Sequence, residues 1–175
     1  MVKKVTFVIL AALALAAVVL GLGGCGFLFP GKQEPVHFYM PALSPDGTKL
    51  VYVDQGEDSY EIFLLDLTTG EERQLTHNSF NEMYLSWSPD GRRIVYMGTQ
   101  EKNNLDIFIL DVETGEVTRL TTHSAMDVNP NWSASGKIVF NSDRDDEWAI
   151  YAIDPDNPDS LERLSPSRPK EETEK

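Results

Sequence analysis

A five-residue pattern occurs three times along the chain at nearly constant spacing. Leu43-Ser44-Pro45-Asp46-Gly47 is followed by Trp87-Ser88-Pro89-Asp90-Gly91 and, in a more divergent form, by Trp132-Ser133-Ala134-Ser135-Gly136. The three serines lie 44 and then 45 residues apart. A repeat of about 40–50 residues that consists of short strands and turns is typical of a propeller blade. The sequence therefore predicts one structural unit that is repeated three times.

The middle copy contains the parts of a four-stranded antiparallel sheet. In Ser88-Pro89-Asp90-Gly91, proline suits the second position of a tight turn and glycine tolerates a positive φ, so we expect a hairpin turn there. Runs rich in β-branched and aromatic residues flank this turn and a second one at 113–116. The predicted strands are 83–87, 93–97, 105–111 and 117–121.

The other two copies repeat these positions. Strand-like runs occur at 49–53, 60–66 and 73–76 in the first copy, and at 137–141, 148–154 and 162–165 in the third. The third copy has Pro155-Asp156-Asn157-Pro158 in place of the Thr-Gly turn, and terminal repeats are often divergent. We therefore divide the repeats into three blades, 37–80, 81–124 and 125–165.

The central strands indicate how these sheets pack. Ile62-Phe63-Leu64-Leu65 and Ile107-Phe108-Ile109-Leu110 are unbroken apolar runs, whereas a sheet with one solvated face would alternate. Blades stacked face to face would cover both sides of such strands. The predicted fold class is all-β: a partial β-propeller of three four-stranded antiparallel blades, preceded by an N-terminal signal or anchor helix.

The combination of the Ser-Pro-Asp-Gly hairpin, the Ile/Phe-rich strand ending in Asp, the Thr-Gly-Glu turn and the closing Leu-Thr resembles the TolB-type, WD40-like β-propeller repeat. The resemblance covers residues 38–165. It implies that the aspartates and tryptophans of the motif are structural, and that the chain binds a protein partner of the bacterial cell envelope. It does not imply one activity, because this fold serves unrelated functions.

The N-terminus predicts export. Lys3 and Lys4 precede an apolar stretch and then Leu22-Gly23-Gly24-Cys25, which resembles a bacterial lipoprotein signal cut before Cys25. We therefore expect a signal peptide at 1–24, lipidation of Cys25, a spacer at 25–36 and an extracytoplasmic, lipid-anchored protein in the periplasm or at the cell surface. The alternative is that residues 5–22 remain as a membrane-spanning helix, since about 18 apolar residues are just long enough. Residues 166–175 form a charged tail that we expect to be disordered.

Charge excludes one class of partner. The chain has 15 basic and 28 acidic residues, and two of the basic residues, Lys3 and Lys4, lie in the predicted leader. The remainder carries a net charge of −15, which repels nucleic acid. The single cysteine also rules out a disulfide within one chain.

No enzymatic constellation is readable in the sequence. The mature chain has no Gly-x-Ser-x-Gly nucleophile motif and no phosphate-binding glycine loop. His37, His77 and His123 do not share a repeat position, so we interpret them as solvated loop residues and expect no metal. The acidic loop at 143–147 lacks calcium-loop spacing and is interpreted as solvated. We expect no catalytic residue and no cofactor.

Binding candidates come from the start of each first strand, which should face the central channel of a propeller. There the repeat positions differ in character between the three copies. The candidates are Tyr39, Asn81, Glu82, Tyr84, Asp127 and Asn129. Trp87 and Trp132 share a position with Leu43, so we expect them in the core between blades.

Three blades are fewer than the four to eight of known propellers. We expect the two outer faces to expose Val51, Ile62 and Leu64 at one end and Val139, Ile150 and Ile153 at the other. One hypothesis is a homodimer that closes a six-bladed ring, the number of blades that the resemblance implies. The alternative is an open arc, such as a fragment of a longer ancestor.

The sequence thus favours a non-catalytic envelope lipoprotein whose blades bind a protein partner or act as a scaffold. The alternative is a carbohydrate-binding or sugar-acid-processing propeller, similar to a lyase, at the cell surface. The alternative requires histidines or acids clustered in one pocket and an exposed tryptophan. The first hypothesis requires buried tryptophans and scattered histidines.

Overall fold

The computed structural model describes residues 39–101 and 104–166. The predicted leader, Cys25, the spacer, His37 and residues 167–175 of the tail lie outside the described residues. Within those ranges the regular structure consists of three four-stranded antiparallel sheets, which confirms the predicted fold class for the repeats. The same ranges contain no helix of sufficient length and apolarity to traverse a bilayer.

Each sheet is one blade, with its strands side by side in chain order. Blade 1 consists of β1 (Tyr39–Leu43), β2 (Lys49–Gln55), β3 (Tyr60–Asp66) and β4 (Glu72–Gln74). Blade 2 consists of β5 (Glu82–Trp87), β6 (Arg93–Glu101), β7 (Asn104–Asp111) and β8 (Val117–Arg119). Blade 3 consists of β9 (Asp127–Trp132), β10 (Ile138–Ser142), β11 (Ala149–Asp154) and β12 (Asn157–Arg163). Since β1 lies beside β5 and β5 beside β9, the first strands form the hub.

The Ser-Pro-Asp-Gly segment is a hairpin turn with the same hydrogen bonds in blades 1 and 2. The Ser44 hydroxyl donates to Asp46 Oδ1, and the Ser88 hydroxyl donates to Asp90 Oδ1, each at 2.6 Å. Gly47 ends the first turn with φ of 72°, a conformation that favours glycine. The Ser44 hydrogen bond lowers the pKa of Asp46 to about 2. These aspartates therefore hold the turns, as the sequence predicts.

The closing Leu-Thr or Leu-Ser of each repeat also has a structural role. In every blade a hydroxyl after the fourth strand accepts a hydrogen bond from a backbone N–H of the third strand. The pairs are Ile62 N to Thr76 Oγ1 at 2.8 Å, Ile107 N to Thr121 Oγ1 at 3.0 Å and Ile150 N to Ser165 Oγ at 3.0 Å. This bond fixes the outer strand in the same register in all three blades.

Blade 3 departs from the sequence-based prediction at its outer strand. Asp154 pairs with Asn157 across a two-residue turn, so β12 begins at Asn157 and not near 162. Pro158 therefore lies in a strand, whereas the sequence indicated a turn. An edge strand tolerates proline because the missing N–H faces away from the ladder. The shorter turn lengthens the pairing with β11.

Two apolar cores hold the blades together. We call the side of a blade that meets the next blade its forward face and the opposite side its rear face. The first core joins the forward face of blade 1 to the rear face of blade 2 and contains Val51, Ile62, Leu64, Leu75, Trp87, Ile94, Tyr96, Phe108, Leu110 and Val112. The second joins blade 2 to blade 3 and contains Val95, Met97, Ile107, Ile109, Leu120, Trp132, Ile138, Phe140, Ala149, Tyr151 and Ile153. Trp87 and Trp132 are core residues, as expected.

The expectation about the outer faces is wrong for four of six residues. Val51, Ile62 and Leu64 on blade 1 are buried in the first core, and Ile153 on blade 3 is buried in the second. Of the predicted set, Ile150 is exposed on blade 3 and Val139 is half-buried. Alternation along a strand shows which residues share a face, but the direction of stacking decides which face meets a neighbour.

Candidate protein-binding surface

The first strand of every blade has an irregularity at the same repeat position. The register of β1, β5 and β9 against the second strand shifts within each strand. At these shifts Met40, Tyr84 and Asn129 have φ of 53°, 59° and 54°. A non-glycine residue in this region is uncommon, and such strain clusters at functional sites. Because it recurs in all three blades, the bulge is part of the blade design and turns three side chains away from the ladder.

The three bulge residues and the adjacent Tyr39 form a row of exposed side chains along the hub, which we call the hub row: Tyr39, Met40, Tyr84 and Asn129. All four are exposed. The Tyr84 N–H donates to Met40 Sδ at 3.1 Å, which links the row between blades 1 and 2. Tyr39 makes an edge-to-face contact with Tyr60, with 5.7 Å between the ring centroids. The row is therefore fixed at several points on a rigid scaffold.

The six sequence-based candidates divide into three groups. Tyr39, Tyr84 and Asn129 lie in the hub row. Asn81 is exposed, but its Oδ1 accepts a hydrogen bond from the Tyr60 N–H at 3.1 Å and so links blade 2 to blade 1. Glu82 and Asp127 were expected to face the channel, yet both are completely buried. Their carboxylates belong to the junctions between blades and are not available to a ligand.

Glu82 lies in the junction between blades 1 and 2. Its carboxylate accepts hydrogen bonds from the Thr76 hydroxyl, from Ile62 N–H at 3.1 Å and from Asn78 Nδ2 at 2.8 Å. Burial raises the pKa of Glu82 to about 7, and the nearby Glu61 carboxylate acts in the same direction. Glu82 thus crosses the junction as a hydrogen-bonded acid close to a second buried acid.

The junction between blades 2 and 3 has arginines beside its buried acids. Arg144 Nη2 donates to both carboxylate oxygens of Asp127, at 2.8 and 2.9 Å. Arg119 Nη2 donates to Asp106 Oδ2 at 2.6 Å. Arg144 also lies over the ring of Tyr151, 4.9 Å from its centroid. Both buried acids of this junction are therefore paired with a guanidinium group.

The acidic loop is held by internal contacts and is not simply solvated. Arg163 donates to Asp145 at 3.1 Å and to Glu147 at 2.6 Å, and the Tyr151 hydroxyl also donates to Asp145. His77 and His123 are both exposed. Among residues 39–101 and 104–166, no three or more His, Cys, Asp or Glu side chains are grouped so that they could hold a metal ion.

A groove of about 570 Å³ lies on the forward face of blade 3. Its lining includes Val128, Asn129, Asn141, Trp148 and Ile150. Trp148 is 56 % exposed, unlike the two core tryptophans. Asn129 belongs to both the groove and the hub row, so the two surfaces are continuous.

Two exposed residues were missed at the sequence level. Met40 shares its repeat position with Tyr84 and Asn129, and this alignment was sufficient to include it. Trp148 occupies the position of Tyr60 and Leu105 at the start of the third strand. No signal in the sequence marks Trp148 as exposed, because its equivalent Leu105 packs against blade 3 in the second core.

Comparison with known proteins identifies the family that has this architecture. The family described as the TolB beta propeller domain matches residues 32–173. The solved structure of putative TolB from Agrobacterium tumefaciens is 33% identical, with a TM-score of 0.64, over 71% of this chain and 45% of that one. TolB from Acinetobacter baumannii is 30% identical, with a TM-score of 0.64, over 74% of this chain and 32% of that one.

A protein TolB homolog of Protochlamydia amoebophila is 43% identical over 42 residues, which are 24% of this chain and 9% of that protein. The chain therefore spans less than half of the length of each of these relatives. The fold alone is shared with an oligogalacturonate lyase from Vibrio parahaemolyticus, at 21% identity and a TM-score of 0.54 over 72% of this chain and 38% of that one.

Proposed function

Since the chain belongs to the TolB beta propeller domain family, we propose that it is a non-catalytic binding module of the bacterial cell envelope. In this proposal Cys25 carries the lipid that anchors it outside the cytoplasm, and the hub row binds a protein partner. A diacylglyceryl group carries two acyl chains, enough for stable anchoring. The partner is an envelope protein that approaches the membrane-tethered propeller along its central axis.

The observation that carries this proposal is the hub row itself. Tyr39, Met40 and Tyr84 place two tyrosines and a methionine, types enriched at protein interfaces, on one exposed strip. Their backbones are held by sheet pairing, so little conformational entropy is lost when a partner binds. The net charge of −15 outside the leader also favours a partner with a basic surface.

The proposal is tested by substitution within the hub row. The full chain with Tyr84→Ala and Asn129→Ala is expressed in the native host, crosslinked in intact cells and purified, and the bound proteins are quantified against the wild type. Val117→Ala is the matched control, because Val117 is exposed on the outer strand β8. We expect at least a tenfold loss of one specific envelope protein from the double variant and none from the control.

Two results would reject this role. One is a partner whose recovery is the same for the wild type and the hub-row variant while both unfold at the same temperature. The other is the recovery of no protein above the level of a tagged unrelated lipoprotein. Globomycin-type inhibition of signal cleavage, followed by the mass of the N-terminal peptide, tests the lipid anchor separately, since only a modified Cys25 shifts that mass.

One observation favours a second candidate, a carbohydrate-binding propeller. Trp148 is exposed in an open groove beside Asn129 and Asn141, and a ring with neighbouring amides can bind a sugar face. The relevant assay is titration of the full chain with oligogalacturonate, read by tryptophan fluorescence and by absorbance of an unsaturated product. Saturable quenching that Trp148→Ala abolishes would support this role, and product formation would make it enzymatic.

A further inference from the structure

The forward face of blade 3 has the same repeat positions as the two junctions, but no following blade covers it among the described residues. Repeat positions that are buried under the next blade in blades 1 and 2 are exposed here. Ile62 and Ile107 are 0 % exposed, whereas Ile150, at the same position, is 43 % exposed. Leu75 and Leu120 are each 8 % exposed, and Leu164 is 52 % exposed.

The groove on this face lies at the same repeat positions. In blade 2 the equivalents of Val128, Asn141 and Trp148 are Met83, Met97 and Leu105, and all three pack against blade 3. The groove is thus the place where the side chains of a following blade would lie. Asn129 at its edge is the only part of it that belongs to the hub row.

The rear face of blade 1 is the complementary half. Leu43 is 56 % exposed, while Trp87 and Trp132, at the same position, are each 7 % exposed and pack on the preceding blade. Leu67 is 48 % exposed, and its equivalent Val112 is 6 % exposed within the first core. Within residues 39–101 and 104–166, no further blade packs on the forward face of blade 3 or on the rear face of blade 1, where Leu43 and Leu67 are exposed and Tyr52 is buried.

We propose that these two faces bind each other in a second copy of this chain, so that two chains close a ring of six blades. At both junctions within the chain a forward face meets a rear face, and a second copy supplies that combination at both of its ends. Two copies give a blade number within the four to eight of known propellers, whereas three copies would exceed it. A twofold axis makes the two new junctions identical and leaves no face free.

This inference rests on the two outer faces, which share only Asn129 with the hub row. Large contiguous apolar patches on a protein surface mark interaction sites. The net charge of −15 on each chain opposes association, and the exposed positions named on the two faces are apolar residues that carry no charge into the new junctions. A closed ring would also place six first strands around one hub.

The first test identifies what touches the groove. A photoreactive benzoylphenylalanine replaces Trp148 in the full chain, expressed in its host, and irradiation is followed by peptide mass spectrometry. We expect a crosslinked dimer in which the photoreactive residue is joined to peptides of the second copy that contain Leu43 or Leu67. Benzoylphenylalanine at Val117 is the control and should give no such dimer.

Other crosslinks would overturn the proposal. A bond within one chain to residues 167–175 would mean that the chain's own tail occupies the groove. A bond to a different protein would assign the face to another partner. The absence of any crosslink at position 148 above the level at 117 would mean that the face is free.

The second test measures mass. The full chain in detergent is studied by light scattering coupled to size exclusion, with Ile150→Asp on the forward face, Leu43→Asp on the rear face and Val117→Asp as control. We expect dimers for the wild type and the control, and monomers for each face variant. An equimolar mixture of the two face variants keeps one intact junction and should regain part of the dimer.

Thermal unfolding and circular dichroism show whether each variant is folded. A monomeric wild type at tens of micromolar would reject the ring. Open-ended oligomers larger than two chains would reject closure by a twofold axis. Equal dimer fractions in the face variants and the control would show that these faces do not form the interface.

Discussion

The two junctions of this propeller stabilise buried carboxylates in opposite ways. Glu61 and Glu82 lie in the junction between blades 1 and 2, and Asp106 and Asp127 occupy the same repeat positions in the next junction. The aspartates receive hydrogen bonds from Arg119 and Arg144, whereas Glu82 receives them from neutral hydroxyl, amide and backbone donors. The same positions therefore hold acids paired with guanidinium groups in one junction, whereas in the other junction burial raises the pKa of Glu82 to about 7.

The difference shows what the fold requires at these positions. It requires a hydrogen-bonding group that links the first strand of a blade to its surroundings, and it does not require an ion pair. A buried ion pair contributes little net stability but becomes costly when one partner is removed. A neutral acid is cheaper to bury, but its contribution depends on pH.

The largest effect is expected from Arg144→Met. The substitution leaves the completely buried Asp127 without its guanidinium, and we expect a loss of about 3–5 kcal/mol of unfolding free energy. Urea unfolding of the full chain at pH 7 measures this. Lys137→Met is the control, since both members of its pair with Glu162 are about half exposed and the pair should contribute about 1 kcal/mol or less. Equal losses in the two variants would contradict the contrast between the junctions.

The second prediction concerns pH and Glu82→Gln. The folded-state pKa of Glu82 is raised from 4.5 to about 7, so between these values the folded state binds more protons than the unfolded state. Wild-type stability therefore falls as the pH rises through this window. Relative to the glutamine variant, we expect a loss of about 3 kcal/mol from pH 4 to pH 8.

This second comparison is made by urea unfolding at several pH values. Subtracting the profile of the variant removes the contribution of the turn aspartates, whose pKa values are lowered and which titrate at lower pH. Asp127→Asn is the companion variant in the other junction. If the difference between the wild type and Glu82→Gln stays constant with pH, the assignment of a neutral Glu82 is wrong.

A third variant, Gln74→Arg, adds a positive charge to the first junction. Gln74 shares its repeat position with Arg119, and both donate a side-chain N–H to the carbonyl of the threonine two residues on, at 2.7 and 3.1 Å. Gln74→Arg places a guanidinium at the position from which Arg119 reaches Asp106, so it should pair with Glu61 and lower the pKa of Glu82. We expect a gain of about 1–2 kcal/mol at pH 8 and a smaller dependence on pH. Val117→Arg, with the same added charge on the outer strand, should not change the pH profile.

The smallest effect is expected from Tyr96→Phe. The Tyr96 hydroxyl is buried beside the Glu82 carboxylate in the first junction without a hydrogen bond of good geometry, and Phe140 stands at this position in the second. Removing an unsatisfied buried hydroxyl should leave the free energy of unfolding unchanged or raise it by about 1 kcal/mol. A loss of more than about 2 kcal/mol would mean that the hydroxyl makes a bond that stabilises the junction.

The sequence predicted the repeated unit well but not the contacts between units. The turns at Asp46 and Asp90 and the core positions of Trp87 and Trp132 follow from local turn chemistry and from alignment of the three copies. Glu82 and Asp127 were expected on the surface because they begin the innermost strands. Their burial depends on how the blades stack, which the repeat pattern does not contain.

The hub row illustrates the same limit. Tyr84 and Asn129 were identified from their repeat position, but the bulge that exposes them is a backbone feature without a glycine to mark it. For the second junction, the repeat alignment offers one clue: Arg119 stands where blade 1 has the neutral Gln74, which indicates that a buried acid of blade 2 has a cationic partner. Pairing between distant residues, such as Asp127 and Arg144, requires the loop to fold back over the sheet.

The repetition of one junction type has an evolutionary consequence. Because both junctions join a forward face to a rear face at the same repeat positions, a gene duplication of one unit of 44 or 45 residues would add a junction of the same kind. The chain would then grow by whole blades, and its two ends would again be one forward face and one rear face.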